Sequence, residues 1–390
     1  MMEIVAPLKE LAQNDLNEPV RSDNFVFRLH SRLTVLLLTG CAILVSAKQF
    51  VGEPITCITH GSSLEAEPVN AYCWIYSTFT VRRHLRGIPG REVVAPGVAQ
   101  AREGDEILQH RYYQWVCLVL VLQALAFYTP RALWRSWEAG LIQELSGIES
   151  RDKIIGYFVE NRSIRRAQNN LYALKFFCCE ILNFLNTLSQ MYLLDAFLEG
   201  QFRHYGPAVI SSALTSTNAP KGGFTNPLLQ QQVNPMARLF PKLAKCTLHT
   251  FGPGGSSQTH DALCVLPLNV VNEKIFVFLW FWLVFLAIAG ALALFYRMPN
   301  HKIKLITIIS NSNDVYQRVT VLSQPWARRI LLRASARGLS NATITSLQLN
   351  HFLGFGDWFV LRRLAADPLV LRALADALAK AKTGDLDTAA

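Results

Sequence analysis

The chain is predicted to be an all-α membrane protein with four transmembrane helices, disulfide-stapled extracellular loops containing minor β structure, and a largely helical cytoplasmic domain. Three observations predict it. Four long apolar runs alternate with polar stretches. Charged residues make up only 17% of the chain, against about 25% in an ordinary soluble domain, and the deficit is concentrated in those runs. Cysteine pairs fall in the first and third connections: Cys57 and Cys73, 16 apart, then Cys246 and Cys264, 18 apart. Pairs on alternate connections share one side of a membrane, and that side is the oxidising one.

Each element follows in chain order. Residues 1–32 are a cytoplasmic leader carrying Ile4, Val5, Leu8, Lys9, Glu10 and Leu11. The spacing 4, 8, 11 sets three apolar residues on one helical face. Residues 33–51 are the first span, with Lys48 able to snorkel outward. Arg28, Arg32 and Val45-Ser46-Ala47 resemble a signal peptide with its cleavage site. The charged leader of about 30 residues is too long for that, so the span is retained. Residues 52–111 are the first outer loop. Residues 112–134 form the second span, opening on Tyr112, Tyr113 and Trp115 as an interfacial aromatic belt.

Residues 135–171 are the inner loop, expected to be largely helical. The third span, residues 172–198, is interrupted by Glu180 and Asp195. Residues 199–264 form the second outer loop, with turn-rich runs at 218–223 and 252–257. The fourth span, 265–296, contains a stretch of 22 residues without a charge, enough for about 30 Å of hydrocarbon. The tail, 297–390, carries 13 Lys and Arg against 6 acidic residues, which marks the cytoplasmic side. The outer loops hold 11 Lys and Arg, so the bias is modest, and long loops report it poorly. The net charge of +10 thus sits beside the spans, where it favours anionic membrane lipids rather than nucleic acid.

At about 100° per residue, Glu180, Asn183, Asn186, Thr187 and Gln190 share one face of the third span. Such a face either lines a water-filled path or hydrogen-bonds neighbouring helices. Cys41, Cys117, Cys178 and Cys179 read as buried small apolar residues, with palmitoylation of Cys178 and Cys179 as the alternative. No C-x-x-C pair occurs, and His249 and His260 lack ligand-like spacing, so neither zinc nor another cofactor is expected. No nucleophile elbow, His-Glu-x-x-His or phosphate loop is present, and no enzymatic activity is expected. The glycosylation sequons at Asn161 and Asn341 fall in segments assigned to the cytoplasm, and neither outer loop contains one.

These readings leave open a channel, an adhesion or barrier protein, and a receptor-like scaffold. Motifs narrow the choice. Tyr112-Tyr113-Gln114-Trp115-Val116 resembles the signature pentapeptide of the innexins, the invertebrate gap-junction proteins. Asp23 to His30 resembles the family's segment before the first span, and Gly52 to Cys57 its first-loop opening. Phe177 to Phe184 resembles its third span. Asn272 to Phe276, with Leu279-Trp280-Phe281-Trp282, resembles its fourth. The blocks stand in order over residues 23–297. The family usually has proline after the pentapeptide, where this chain has Cys117. Proline there would remove a backbone donor and could bend the span.

The resemblance implies a plasma-membrane subunit of gap junctions. It implies a homo-oligomer of octamer-like form, or a hetero-oligomer with other innexins, docked to its counterpart on the neighbouring cell. The joined pore would pass ions and small metabolites, and the leader would fold into the pore mouth. The resemblance also suggests the pairing Cys57–Cys264 and Cys73–Cys246. An unpaired hemichannel, or a four-span adhesion protein without a pore, is the alternative.

Overall fold

The computed structural model describes residues 24–59, 65–87, 90–102, 104–146, 156–157, 162–217, 235–309, 356–357 and 359–360. The leader residues Ile4 to Leu11, the turn-rich run at 218–223 and most of the tail lie outside them.

The described helices are α1 (Phe25–Phe50), α2 (Ala66–Tyr76), α3 (Val116–Glu138), α4 (Leu141–Ser146), α5 (Arg162–Phe197), α6 (Phe202–Thr217), α7 (Pro235–Leu239) and α8 (Pro267–Ile309). Of these, α1, α3, α5 and α8 are long and apolar enough to cross a membrane. Five strands, β1 (Thr56–Ile58), β2 (Thr78–Val81), β3 (Ile107–His110), β4 (Leu243–Phe251) and β5 (Ser257–Val265), form one antiparallel sheet in the order β1-β5-β4-β2-β3. The expected fold class therefore stands: four membrane-capable helices, minor β structure and bridged cysteines.

Local chemistry explains the irregular helix positions. Within α1, Leu29–Leu33 is a π turn. There Ser31 Oγ donates to the Phe27 carbonyl at 2.8 Å and His30 Nδ1 to the Val26 carbonyl at 2.9 Å, taking up backbone acceptors inside the helix. Pro130 lies inside α3 and withholds the amide that would reach the carbonyl four residues earlier. The two carboxylates that interrupt the third apolar run each have a local role. Asn24 Nδ2 donates to Glu180 Oε1 at 2.9 Å. Asp195 accepts the Arg203 backbone N–H at 2.9 Å and its guanidinium at 3.3 Å. Asp195 thereby satisfies an orphan amide in the first turn of α6, across a turn made by Glu199 (φ 54) and Gly200 (φ 78).

The chain divides into two compact units. One comprises Arg32–Tyr128 and Leu185–Ile288, and contains the sheet, α2, α6 and α7. The other comprises Met1–Ser31, Thr129–Phe184 and Ala289–Ala390. Its described core is aromatic. Phe176 stacks on Phe27 at 5.6 Å and meets Trp134 edge-on at 4.8 Å. Phe359, from the tail, packs 5.4 Å from Phe176 and 6.0 Å from Tyr172. Beside it, Asn169 Nδ2 donates to Asp357 Oδ1 at 2.6 Å, and the Gly356 N–H donates to Asn170 Oδ1 at 2.8 Å. Asn169 and Asp357 are both buried, so these few tail residues are clipped onto the first turns of α5.

Candidate functional site

The four loop cysteines converge on one face of the sheet. Side chains alternate along a strand, and β4 and β5 place Ala244, Cys246, Ala262 and Cys264 on the buried face. Across the ladder, Ala244 lies opposite Cys264 and Cys246 opposite Ala262. Each cysteine thus faces an alanine, which leaves room for a layer above. Cys57 of β1 pairs directly with Cys264 of β5 in register, and the two are bonded with Cα atoms 3.9 Å apart. Cys73, on α2, is bonded to Cys246 with Cα atoms 5.8 Å apart. The second bridge pins α2 over the small-residue face, and the Cys57 N–H donates to Asn70 Oδ1 of α2 at 2.7 Å. Ile55, Val69 and Leu266 close this core.

Sulfur atoms of Cys57, Cys73 and Cys264 lie within 4.8 Å of one another, a metal-like grouping. Both bridges consume them, so no thiolate remains to bind a metal.

The pentapeptide 112–116 holds this module to the start of α3. Gln114 Nε2 donates to the Trp74 carbonyl and, at 3.3 Å, to the Ile75 carbonyl. These belong to the last turn of α2, whose carbonyls have no partner inside the helix. Ser77, which follows α2, has φ 86 and ψ 157, a positive-φ extended conformation that ends the helix. Tyr113 is buried, stacks on Trp74 at 4.7 Å and accepts the Thr78 N–H at its hydroxyl at 3.3 Å. Tyr112 meets Phe240 edge-on at 5.5 Å, Val116 is fully buried, and Trp115 is exposed. The belt expected from aromatic content alone is therefore split: Trp115 faces outward, while Tyr113 and Gln114 work inward. A glutamine amid aromatic residues was the one sequence signal for this clamp.

The position after the pentapeptide is accommodated simply. The first hydrogen bond of α3 runs from the Val119 N–H to the Trp115 carbonyl at 2.9 Å. Residue 117 precedes the first internal donor, so a proline there removes a backbone N–H but no ladder bond. Cys117 Sγ instead lies 2.7 Å from Ser46 Oγ on α1.

The polar face of α5 is turned into protein within the chain. Glu180, Asn183, Thr187 and Gln190 are buried, and Asn186 is half-buried. Gln190 Nε2 donates to Asn186 Oδ1 at 3.3 Å. Of the four remaining cysteines, Cys179 is buried, Cys41 and Cys117 are intermediate, and Cys178 is exposed, so burial does not account for all of them. On α8, the buried Glu273 carboxylate sits between Lys242 at 3.1 Å and Lys274 at 2.9 Å. Trp282 Nε1 donates to Thr34 Oγ1 of α1 at 3.0 Å.

Comparison with known proteins identifies the family. The family model described as Innexin matches residues 23–382, running well into the tail. The chain is 40% identical over 400 residues to innexin inx2 of Drosophila melanogaster, covering 99% of this chain and 97% of that protein. It is 39% identical over 399 residues to innexin inx2 of Schistocerca americana, covering 98% and 99%. Identity to innexin shaking-B of Drosophila melanogaster is 33% over 395 residues, covering 97% and 94%. The chain with this bridged sheet and these four membrane-capable helices belongs to the innexin family, and is a gap-junction protein of the plasma membrane.

Proposed function

We propose that the chain is the subunit of a large-pore channel. Subunits form an octamer-like ring, alone or with other innexins. Two rings on apposed cells dock through the bridged loops, and ions and small metabolites pass between cytoplasms. The observation that carries this reading is the double staple. Cys57–Cys264 and Cys73–Cys246 join the two loops to each other rather than closing each on itself. A surface that must meet a partner across an extracellular gap gains from such rigidity, because less order is lost on contact. The exposed tip of the β4–β5 hairpin, with Phe251 at 77% exposure and the turn at residues 252–256, suits the contact itself.

The topology that fits is four crossings with both termini, residues 135–171 and the tail in the cytoplasm. Residues 52–111 and 199–264 are then extracellular. The division into units supports it, since both bridged loops fall in one unit and both termini in the other.

Dye transfer between paired expressing cells tests the proposal. The intact chain is expected to pass a small dye, and Cys→Ser at Cys57, Cys73, Cys246 or Cys264 to abolish transfer, since losing one bridge costs about 2–5 kcal/mol. Dye release to the medium without transfer would replace it with an unpaired hemichannel. Cell adhesion without either would replace it with a barrier protein.

A further inference from the structure

A cleft of about 890 Å³ opens in the unit that carries the sheet, away from the bridges. It lies between the end of β3, the pentapeptide, the α5–α6 turn and α7. Its lining combines Arg111, Arg238 and His204 with Tyr112, Trp115 and Glu199. Arg82 and Glu106, also in the wall, form an ion pair with each other. Arg111 and Arg238 engage no carboxylate among the described residues, and both are exposed. The floor is ordered: Tyr112 and Tyr205 both meet the buried Phe240 ring edge-on, at 5.5 and 5.8 Å.

Position selects the ligand. Trp115 directly precedes α3 and Phe197 ends α5, two membrane-capable helices. The cleft thus opens where both leave the apolar layer, at the depth of lipid headgroups and of interfacial aromatic residues. Guanidinium groups bind phosphate oxygens through paired, charge-assisted hydrogen bonds. Basic pockets beside membrane helices bind lipid headgroups on the same principle. Glu199 and the Trp115 indole suit a cationic ammonium end.

We propose that this cleft binds the phosphate-bearing headgroup of a membrane phospholipid, with Arg111 and Arg238 taking the phosphate and Glu199 and Trp115 the ammonium end of a zwitterionic headgroup.

The test uses the full chain as its assembled oligomer, reconstituted with phosphatidylcholine and then transferred to a phosphate-free glycoside detergent. Native mass spectrometry counts the phospholipid retained per subunit. The intact chain should retain phosphatidylcholine in preference to a chain-matched galactolipid offered in competition, a comparison that needs no mutation. Arg111→Gln with Arg238→Gln should lower retention by about tenfold for each arginine removed, the worth of one charge-assisted hydrogen bond. Arg111→Lys with Arg238→Lys should recover part of it. Equal retention of both lipids by the intact chain overturns the proposal. Inorganic phosphate binding that depends on both arginines, without any lipid preference, overturns the lipid source and assigns the cleft to a soluble phosphate. Density from a neighbouring subunit's side chain in the cleft of the assembled ring also overturns it.

Discussion

Single residues in this chain are tuned by how much space and water surround them. Gly206 on α6 is one. A Cβ built there would lie 2.2 Å from the Trp280 ring of α8, so no side chain fits without displacing the indole. Gly206→Ala is expected to destabilise by about 1–3 kcal/mol, the usual range for overpacking. Thermal unfolding in detergent measures it, and a smaller residue at Trp280 in the same background should restore part of the loss. His110 is the second case. It is buried beside Thr80, whose hydroxyl lies 2.9 Å from Nε2, and burial holds its pKa down at about 4 from an ordinary 6.5. The unfolded chain therefore takes up the proton first. Stability is complete above the unfolded value of 6.5 and declines as pH falls from there to about 4, by on the order of 3 kcal/mol in total. His110→Gln should flatten that decline between about pH 7 and pH 4.5. An equal acid loss in both proteins would show that other groups control it.

At the scale of elements, apolar length and cysteine position were legible in the sequence, while the pieces between them were not. The long helices announce themselves because a run like residues 275–296 has no other use for so many apolar side chains. Glu180 and Asp195 blurred the third run because their partners, Asn24 and Arg203, are invisible to a hydropathy window. The sheet was harder still. β1 pairs with β5 across 207 residues, and a strand of three residues leaves no periodic trace. The tail clip had no signal either, since it depends on Gly356 lying against the α5 backbone, where a Cβ would come 2.1 Å from the Asn169 carbonyl carbon. Asp357→Ala strips the Asn169 amide of its acceptor at a buried site, which costs about 1–3 kcal/mol. Limited proteolysis should then release the tail faster than from the intact chain. Unchanged release would mean that Phe359 and Val360 hold the segment without it.

For the whole molecule, the leader is the element that the channel reading needs most. The family resemblance implies a leader folded into the pore mouth, and its residues Ile4 to Leu11 lie outside the described residues. Deleting residues 2–11 should change unitary conductance or voltage sensitivity while delivery to the membrane persists. Junctions with unaltered conductance and gating would remove the leader from the pore. The double staple has a consequence of another kind, in the covalent connectivity of the chain. Cys57–Cys264 and Cys73–Cys246 are nested, so both close rings that contain α3, α5 and α6. A backbone cut anywhere between residues 74 and 245 leaves a single covalent molecule of unaltered mass, apart from the water added. Such a cut separates two fragments on a gel only once the bridges are reduced. A subunit nicked in residues 218–234 can therefore stay joined in the membrane, its two halves anchored by their own spans and tied together at the sheet.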